Sequence, residues 1–199
     1  MSHYFTYDKD QKQRSYHFDY QHHQHHMIFS SQSGVFSKKK VDFGTHQLLK
    51  TIDACLYTSI LDLGCGIGIV GISLAKANPK ANITSIDVNP LAVALTKQNA
   101  ASNKVNHITV FESEGYDSID NTFDLIVCNP PIRAGKKVVH DLVLGGASYL
   151  NRGGVIRVVI QKKQGALSLK TKMKDIYGNV TTVAKEKGYF VFESKKETV

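Results

Sequence analysis

The chain has 199 residues, of which 42% are hydrophobic, and a formal net charge of +8. This length and apolar content favour one main domain with a sizeable buried core. No apolar run reaches the roughly 18 residues of a membrane-spanning helix. Three cysteines do not make a spaced disulfide framework, and Met1–Thr6 lacks the basic and apolar regions of a secretion signal. We therefore expect a cytoplasmic protein without a membrane segment.

The positive charge is concentrated in one part of the chain. Residues 133–174 contain ten Lys or Arg and one acid, whereas residues 51–132 contain four Lys and eight acids. A basic face would attract a phosphate backbone and speed association with it, which favours a nucleic acid as partner. The alternative is a set of ordinary solvated helix faces rich in lysine.

Residues 1–32 differ from the remainder and predict a small β extension. Polar and aromatic residues alternate over Arg14–Tyr20, as in a half-buried strand, and His25–Ser31 is expected to pair back on it. We expect this extension to pack over the ligand-binding side of the main sheet. Four histidines at positions 22, 23, 25 and 26 do not supply the three or four ligands of a metal site, so we predict a solvated polar turn and no metal.

The main domain, residues 33–199, begins with a predicted helix at His46–Asp53, for which Thr45 is the candidate N-cap. Strands and helices then alternate. The predicted strands are Ser59–Leu63, Asn82–Asp87, Ile108–Glu112, Phe123–Cys128, Val155–Gln161, Asn179–Lys185 and Tyr189–Ser194. The predicted helices are Ile67–Ala77, Pro90–Ser102, Lys136–Leu150 and Leu167–Tyr177, with Gly178 and the Gly153-Gly154 pair at helix ends. The pattern predicts an α/β fold with a mostly parallel sheet, closed by an antiparallel hairpin around Glu186-Lys187-Gly188.

A glycine-rich turn follows the first strand of this sheet. The segment Ile60–Gly68 runs from an apolar strand through three glycines into a helix, and Asp87 ends the next strand. Glycines allow close approach of a ligand to the backbone, and an acid at the second strand end can bind ribose hydroxyls. The spacing Gly66-x-Gly68-x-x-Gly71 also fits the dinucleotide fingerprint. Asp62, two residues before the first glycine, is atypical of a nicotinamide site.

The segment Asn129-Pro130-Pro131-Ile132 follows the apolar strand Phe123–Cys128 directly. Two adjacent prolines cannot donate backbone hydrogen bonds, so they end the strand and stiffen the corner. The residue before a proline is confined to extended conformations, which aims the Asn129 side chain and carbonyl in a fixed direction. A rigid corner at the carboxyl end of a parallel strand is where α/β sheets bind ligands.

The order of these motifs resembles the RsmC-like small-subunit ribosomal RNA guanine-N2 methyltransferases, whose core is called the methyltransferase small domain. The resemblance covers about Ser33 to Val199. Its motifs are Gly34-Val35-Phe36-Ser37, Asp42-x-Gly44, Asp62-x-Gly64-Cys65-Gly66-x-Gly68 and Asn129-Pro130-Pro131. It implies a Rossmann-like class I methyltransferase fold, with a seven-stranded, mostly parallel sheet that ends in an antiparallel hairpin.

The resemblance also implies S-adenosylmethionine as cofactor. Its methionine and ribose parts would approach Gly64, Cys65, Gly66 and Gly68, with Asp62 ordering the loop or meeting the amino group. Asp87 would hold the ribose hydroxyls and Val88 would line the adenine. Glu114 could accept a hydrogen bond from the adenine amine, although it could equally be a surface acid.

For catalysis, the resemblance implies direct methyl transfer to an exocyclic base amine at Asn129, Pro130, Pro131 and Ile132. The Asn129 side-chain oxygen and the Pro130 carbonyl would each accept one N–H of that amine. The partner would be ribosomal RNA, with Arg133, Lys136 and Lys137 contacting phosphates. Two features depart from the family. Members often carry a second module, and an aromatic residue often stands where this chain has Ile132, which makes Phe36 the candidate for stacking.

Other functions share parts of this pattern. The same Asn-Pro-Pro corner serves methylation of adenine N6 or of a protein glutamine amide. A nicotinamide-dependent reductase would use the overlapping glycine fingerprint, and a noncatalytic RNA-binding protein would keep only the fold.

Overall fold

The computed structural model describes residues 14–37 and 39–197. Lys38, which belongs to the predicted loop between the β extension and the first helix, lies outside these ranges. Within them, two sheets account for the strands, one of two strands and one of seven. No helix in these ranges has both the length and the apolar character needed to cross a bilayer.

Strands β1 (Ser15–His22) and β2 (His25–Gln32) form an antiparallel hairpin, as predicted. His22 departs from the predicted solvated turn, because the two-residue period of a strand turns it inward, where it is only 4% exposed. His23 and His26 are exposed, as predicted. Burial lowers the pKa of His22 to about 4. Among the residues that the structure describes, no three His, Cys, Asp or Glu approach closely enough to hold a metal ion.

Seven strands build the main sheet in the order β5-β4-β3-β6-β7-β9-β8. They are β3 (Ser59–Leu63), β4 (Asn82–Asp87), β5 (Ile108–Glu112), β6 (Phe123–Cys128), β7 (Leu150–Gln161), β8 (Thr181–Glu186) and β9 (Tyr189–Lys195). Strands β3 to β7 pair in parallel, and β9 enters antiparallel between β7 and β8. The predicted Rossmann-like sheet with a terminal antiparallel hairpin is confirmed.

In the part of the chain that the structure describes, five α-helices cover the two faces of this sheet. They are α1 (Phe43–Lys50), α2 (Ile69–Ala77), α3 (Pro90–Ser102), α4 (Lys136–Gly145) and α5 (Ala166–Tyr177). Apolar residues of α1, α2 and α3 share one buried core with the β1–β2 hairpin, whereas α4 and α5 enclose a second core on the opposite face. The strands contribute to both cores because successive side chains point to opposite faces.

Several boundaries differ from the sequence prediction, and the differences at α1, α4 and β7 are the largest. Helix α1 begins at Phe43 and its N-cap is Asp42 instead of Thr45, since the Asp42 carboxylate accepts from the Thr45 N–H at 3.1 Å. Helix α4 ends at Gly145, and after a 3₁₀ turn the strand β7 already begins at Leu150. The Gly153-Gly154 pair therefore lies inside β7, where a shift in register interrupts its pairing with β6. Glycine at such an irregularity permits the bend of the strand.

The hairpin packs on helices α2 and α3, which lie between it and the main sheet. Asn99 of α3 and Asn103, the C-cap residue of α3, bind the backbone of β2 as a neighbouring strand would. Asn103 accepts from Ile28 N–H at 3.0 Å and donates to its carbonyl at 2.7 Å. Asn99 does the same with Ser30 at 2.8 and 3.0 Å. These bonds provide partners for backbone N–H and C=O groups on the edge of β2 that does not pair with β1.

Asn99 also donates to the carbonyl of Ile67, within the glycine-rich turn, at 2.9 Å. We expect Asn99→Ala to destabilise the protein by about 2–4 kcal/mol, because it leaves several buried backbone groups without partners. It should also weaken binding of a ligand to that turn. Asn103→Ala is the matched control, since Asn103 holds the same strand without contacting the turn. Urea unfolding and calorimetry measure the two effects, and equal ligand affinity in both variants would contradict this linkage.

Candidate active site

The turns after β3, β4 and β6 meet at the carboxyl edge of the sheet. Leu63 pairs with Ile86 on one side and with Cys128 on the other, so the next residues, Gly64 and Asn129, leave the sheet side by side. The chain order reverses between β3 and β6, since β4 and β5 lie on one side and β7 on the other. Such a switch point opens the crevice where α/β sheets bind ligands.

The glycine-rich turn is held tightly by the chain itself. Gly64, Gly66 and Gly68 have φ of 74°, 58° and 86°, values that favour glycine. The N–H groups of Gly64 and Cys65 donate to the Ile86 carbonyl at 2.9 Å each. A side chain at Gly64 or Gly66 would meet nothing within 4 Å, so space is open beside the turn. Cys65 is only 8% exposed and its thiol lies 3.5 Å from the Thr96 hydroxyl, which leaves its backbone as the part that faces a ligand.

Asp87, at the end of β4, borders the open space beside the glycine-rich turn. One of its carboxylate oxygens accepts from Gly66 N–H and the other from Asn89 N–H, both at 2.9 Å. Burial raises the pKa of Asp87 above its ordinary value. A carboxylate has about four acceptor positions, so capacity remains for hydroxyl donors. Val88 is half-buried beside it, and Glu114 is exposed just beyond β5.

Asp62 lies beneath the turn and is 3% exposed. Its carboxylate accepts from the Gly71 N–H in the first turn of α2 at 2.8 Å. A Cβ at Gly71 would collide with the Ser85 hydroxyl, so glycine is needed for this close packing. In a dinucleotide site a pyrophosphate binds the start of the corresponding helix. A carboxyl group occupies that position here, which argues against a nicotinamide cofactor.

The Asn-Pro-Pro corner lies across the open space from Asp87. The Asn129 side-chain nitrogen donates to the Thr45 hydroxyl at 2.9 Å and lies 3.4 Å from the Asp42 carboxylate. Pro130 is buried and Pro131 half-buried, and the Pro131 carbonyl accepts from Ala134 N–H at 2.9 Å. Ile132 packs on the core beneath α4.

The predicted substrate-binding residues lie around this corner. Arg133 and Lys136 follow it and are exposed, as is Lys137, which forms an ion pair with Asp141 at 2.9 Å. Phe36 is 64% exposed in the loop before α1. That loop contacts both halves of the site, because Gly34 accepts from the Asn89 side chain at 3.3 Å and Ser37 donates to Asp42 at 3.4 Å.

Sequence reasoning missed Asp42 and Thr45 as site residues. Asp42 was noticed only as part of the Asp-x-Gly motif, and Thr45 only as a candidate helix cap. Gly44 is the signal that could have led to them. A Cβ there would lie 3.1 Å from the Asp42 carboxylate and 3.0 Å from the Tyr189 ring, so the glycine leaves room for the acid.

The buried Asp62 predicts an unusual pH dependence of stability. Burial raises its pKa from the ordinary 3.8 to about 7 in the folded chain, so the folded state binds this proton more tightly than the unfolded state. Asp62 therefore does not lower the free energy of unfolding below pH 4. Its unfavourable contribution to this free energy grows as the pH rises to 7. We expect Asp62→Asn to gain about 2–4 kcal/mol relative to the wild type over this range.

Unfolding by urea from pH 4 to pH 7 checks this expectation, with Asp124→Asn as control. Hydrogen bonds from Thr58, Asn151 and Ser59 outweigh partial burial and lower the pKa of Asp124 to about 2. Its loss should reduce stability by an amount that is constant between pH 4 and pH 7. A constant difference for Asp62→Asn as well would contradict the prediction.

The chain is similar to proteins of a known family. The family described as methyltransferase small domain matches residues 26–193. The protein YbxB of Bacillus subtilis is 43% identical over 84% of this chain and 85% of its own length. The ribosomal RNA small subunit methyltransferase C of Actinobacillus pleuropneumoniae is 33% identical over 81% of this chain. The chain spans about half of that protein (50%), and 38% of the Erwinia tasmaniensis protein of the same name.

Solved structures share the fold. The 16S rRNA N2 methyltransferase RsmC of T. thermophilus, in complex with AdoMet and guanosine, has a TM-score of 0.81 and 24% identity, and the match covers 93% of this chain and 51% of that one. A methyltransferase from Pyrococcus furiosus has a TM-score of 0.66 at 20% identity, over 77% of this chain and 81% of its own. The family match over most of the sequence, together with the identity to YbxB, shows that the chain belongs to the methyltransferase small domain family.

Proposed function

We propose that the protein is an S-adenosylmethionine-dependent methyltransferase that acts on an exocyclic amine of an RNA base. The favoured target is guanine N2 of small-subunit ribosomal RNA. The observation that carries the proposal is the Asn129-Pro130-Pro131 corner, fixed beside an open glycine-rich turn at the switch point of the sheet. Strand β3 ends at the turn and strand β6 at the corner, so a bound donor and an acceptor amine would meet between them.

The residues around the open space fit the cofactor. Backbone atoms of Gly64, Cys65, Gly66 and Gly68 would accommodate its methionine and ribose parts, since no side chain fills the space beside Gly64 and Gly66. The remaining acceptor capacity of Asp87 would serve the ribose hydroxyls. Val88 would line the adenine, and Glu114 would accept from the adenine amine. The cofactor supplies a methyl group on a sulfonium, which is already activated for transfer.

The protein's contribution is alignment of the acceptor amine. The lone pair of such an amine is delocalised into the base, which makes the nitrogen a poor nucleophile. The Asn129 oxygen and the Pro130 carbonyl would each accept one N–H and turn the lone pair toward the methyl group. Fixed acceptors of this kind act through orientation and preorganised dipoles, so no strong general base is required.

A base within a duplex could not reach this corner, so the substrate nucleotide would be unpaired or flipped out. Ile132 is half-buried against the core and would offer an apolar surface to the base. Phe36, which is largely exposed in the loop that joins Asn89 to Asp42, would supply the aromatic contact that the family often has at the position of Ile132.

RNA as substrate is supported by charge and by the names of the relatives. Arg133, Lys136 and Lys137 are exposed immediately after the corner, where phosphates beside a flipped base would pass. Several relatives at 33–38% identity are ribosomal RNA small subunit methyltransferases. This chain spans 38–50% of those two proteins, so their RNA substrate comes to this chain only as part of the proposal.

Adenine N6 or a protein glutamine amide could use the same two acceptors, and these are the alternative substrates. The net charge of +8 favours RNA over a protein amide. A nicotinamide-dependent reductase is disfavoured because the Asp62 carboxylate binds the Gly71 N–H in the first turn of α2. A noncatalytic RNA-binding protein would not require an oriented Asn129.

Calorimetry and methyl-transfer assays test the proposal. We expect S-adenosylhomocysteine to bind and NADH not to bind. Asn129→Ala should keep cofactor affinity and lose at least about 100-fold in transfer to RNA, because one preorganised acceptor is removed. Mass spectrometry of ribosomal RNA nucleosides from a strain that lacks the gene identifies the target. Missing N2-methylguanosine supports guanine, whereas missing N6-methyladenosine changes the base. Tight NADH binding alone would refute the proposal.

The basic residues beside the corner predict the salt dependence of RNA binding. Arg133→Ala with Lys136→Ala should lower affinity similarly for all RNA sequences and reduce the slope of log affinity against log salt by about 1.4. Lys50→Ala with Lys80→Ala removes the same charge from exposed positions that precede β3 and β4, away from the carboxyl edge. Filter binding at several salt concentrations compares the two. Equal slopes for both double variants would locate the RNA elsewhere.

A further inference from the structure

A chain of hydrogen bonds joins the start of α1 to the Asn-Pro-Pro corner. The Asn129 side-chain nitrogen donates to the Thr45 hydroxyl at 2.9 Å, and this hydroxyl donates to one oxygen of Asp42 at 2.5 Å. The other Asp42 oxygen lies 3.4 Å from the same Asn129 nitrogen. The three residues come from two segments more than 80 positions apart, since 84 positions separate Thr45 from Asn129.

Asp42 determines which atoms donate and which accept in this series of hydrogen bonds. An ionised carboxylate can only accept hydrogen bonds, so the Thr45 hydroxyl must use its proton on Asp42. That hydroxyl then has only lone pairs to offer to Asn129, and the atom facing it must be the amide nitrogen. The direct contact between Asn129 and Asp42 requires the same orientation, because the carboxylate can accept only from the amide nitrogen. The Asn129 oxygen is therefore left as the atom for a ligand, and the flipped amide is excluded.

Asp42 is itself held in place by several contacts. Its carboxylate accepts from the Thr45 N–H at 3.1 Å as the N-cap of α1, and from the Ser37 hydroxyl at 3.4 Å. Helix α1 is anchored by Leu48 and Leu49, which are fully buried. Charge-assisted hydrogen bonds and a packed helix give the carboxylate one position. It can therefore serve as a fixed reference for the Asn129 amide.

We propose that Asp42 and Thr45 are positioning residues that lock the Asn129 side chain with its oxygen toward the acceptor amine. This inference rests on the proposed function and names two residues of the same site. With Asn129 locked in this way, the corner presents two acceptors, the Asn129 oxygen and the Pro130 carbonyl. A pair of acceptors suits an NH₂ group and repels a carbonyl oxygen. The lock therefore selects an amino group over a keto oxygen at the position that faces the corner.

Substitutions at both positions test the lock without removing the helix cap. Asp42→Asn keeps a good N-cap residue but introduces a donor, so the amide of Asn129 can bind in either orientation. Thr45→Val keeps the shape and removes the hydroxyl, whereas Thr45→Ser restores it. Thr51→Val is the matched control, because its hydroxyl bonds to the Leu48 carbonyl at the other end of α1.

We expect kcat for methyl transfer to RNA to fall about 10- to 100-fold in Asp42→Asn and Thr45→Val, with KM and affinity for S-adenosylhomocysteine nearly unchanged. Thr45→Ser should recover most of the rate, and Thr51→Val should match the wild type. Urea unfolding separates these effects from loss of stability. A kcat within twofold of the wild type in both Asp42→Asn and Thr45→Val would overturn the proposal.

A second measurement is independent of catalysis. In protein labelled with ¹⁵N at asparagine, the Asn129 side-chain NH₂ signals are identified by their loss in Asn129→Ala. We expect hydrogen exchange of these protons to be slow in the wild type and in Thr45→Ser, and at least about 10-fold faster in Thr45→Val, which lacks the acceptor. Unchanged exchange in Thr45→Val would refute the lock. Absence of methyl transfer by the wild type would refute the proposed function instead, and the two failures are thereby distinguished.

Discussion

Parallel pairing of β3 with β6 is the constraint on which the site depends. Leu63 lies opposite Cys128, and neighbouring strands are about 4.8 Å apart, so the turn after β3 and the corner after β6 must be adjacent. The reversal of strand order at this pair prevents the connections from covering the crevice between them. A buried ladder thus sets the separation of two loops that carry different chemistry, and the rigidity of the sheet is passed on to both.

Three carboxylates then define the loops at this edge. Asp62 binds the Gly71 N–H, Asp87 binds the Gly66 N–H, and Asp42 binds the Thr45 N–H. Each of these hydrogen bonds holds a turn or the start of a helix in place before any ligand is present. Preorganisation of this kind lowers the entropy lost when a ligand binds and keeps catalytic dipoles aligned. Burial of Asp62 lowers the stability of the protein at neutral pH. The same buried carboxylate binds α2, which packs tightly against the sheet.

Much of the fold and part of the site were predictable from sequence. The strands β3, β4, β5 and β6 have the predicted bounds, because continuous apolar runs between turn residues are typical of buried parallel strands. The end of α4 was wrong, since α4 ends at Gly145 while the apolar pattern continues to Leu150. The contacts that hold the hairpin were not predicted. Its support by Asn99 and Asn103 depends on polar side chains that match a strand edge, and periodicity carries no sign of this.

The order of the motifs, the corner at Asn129 and the glycine turn can be read from the amino-acid sequence, because proline and glycine restrict or free the backbone locally. Only the tertiary structure decided which way the Asn129 amide faces. The backbone restriction before Pro130 sets the direction of the Asn129 side chain. It does not decide whether the amide oxygen or the amide nitrogen faces the ligand, and that choice depends on the Asp42 carboxylate, 87 positions away. That contact exists because α1 packs against β7 and β9 on one face of the sheet, with its first turn beside the corner. Burial in a shared core, unlike backbone preference, is a property of the whole chain.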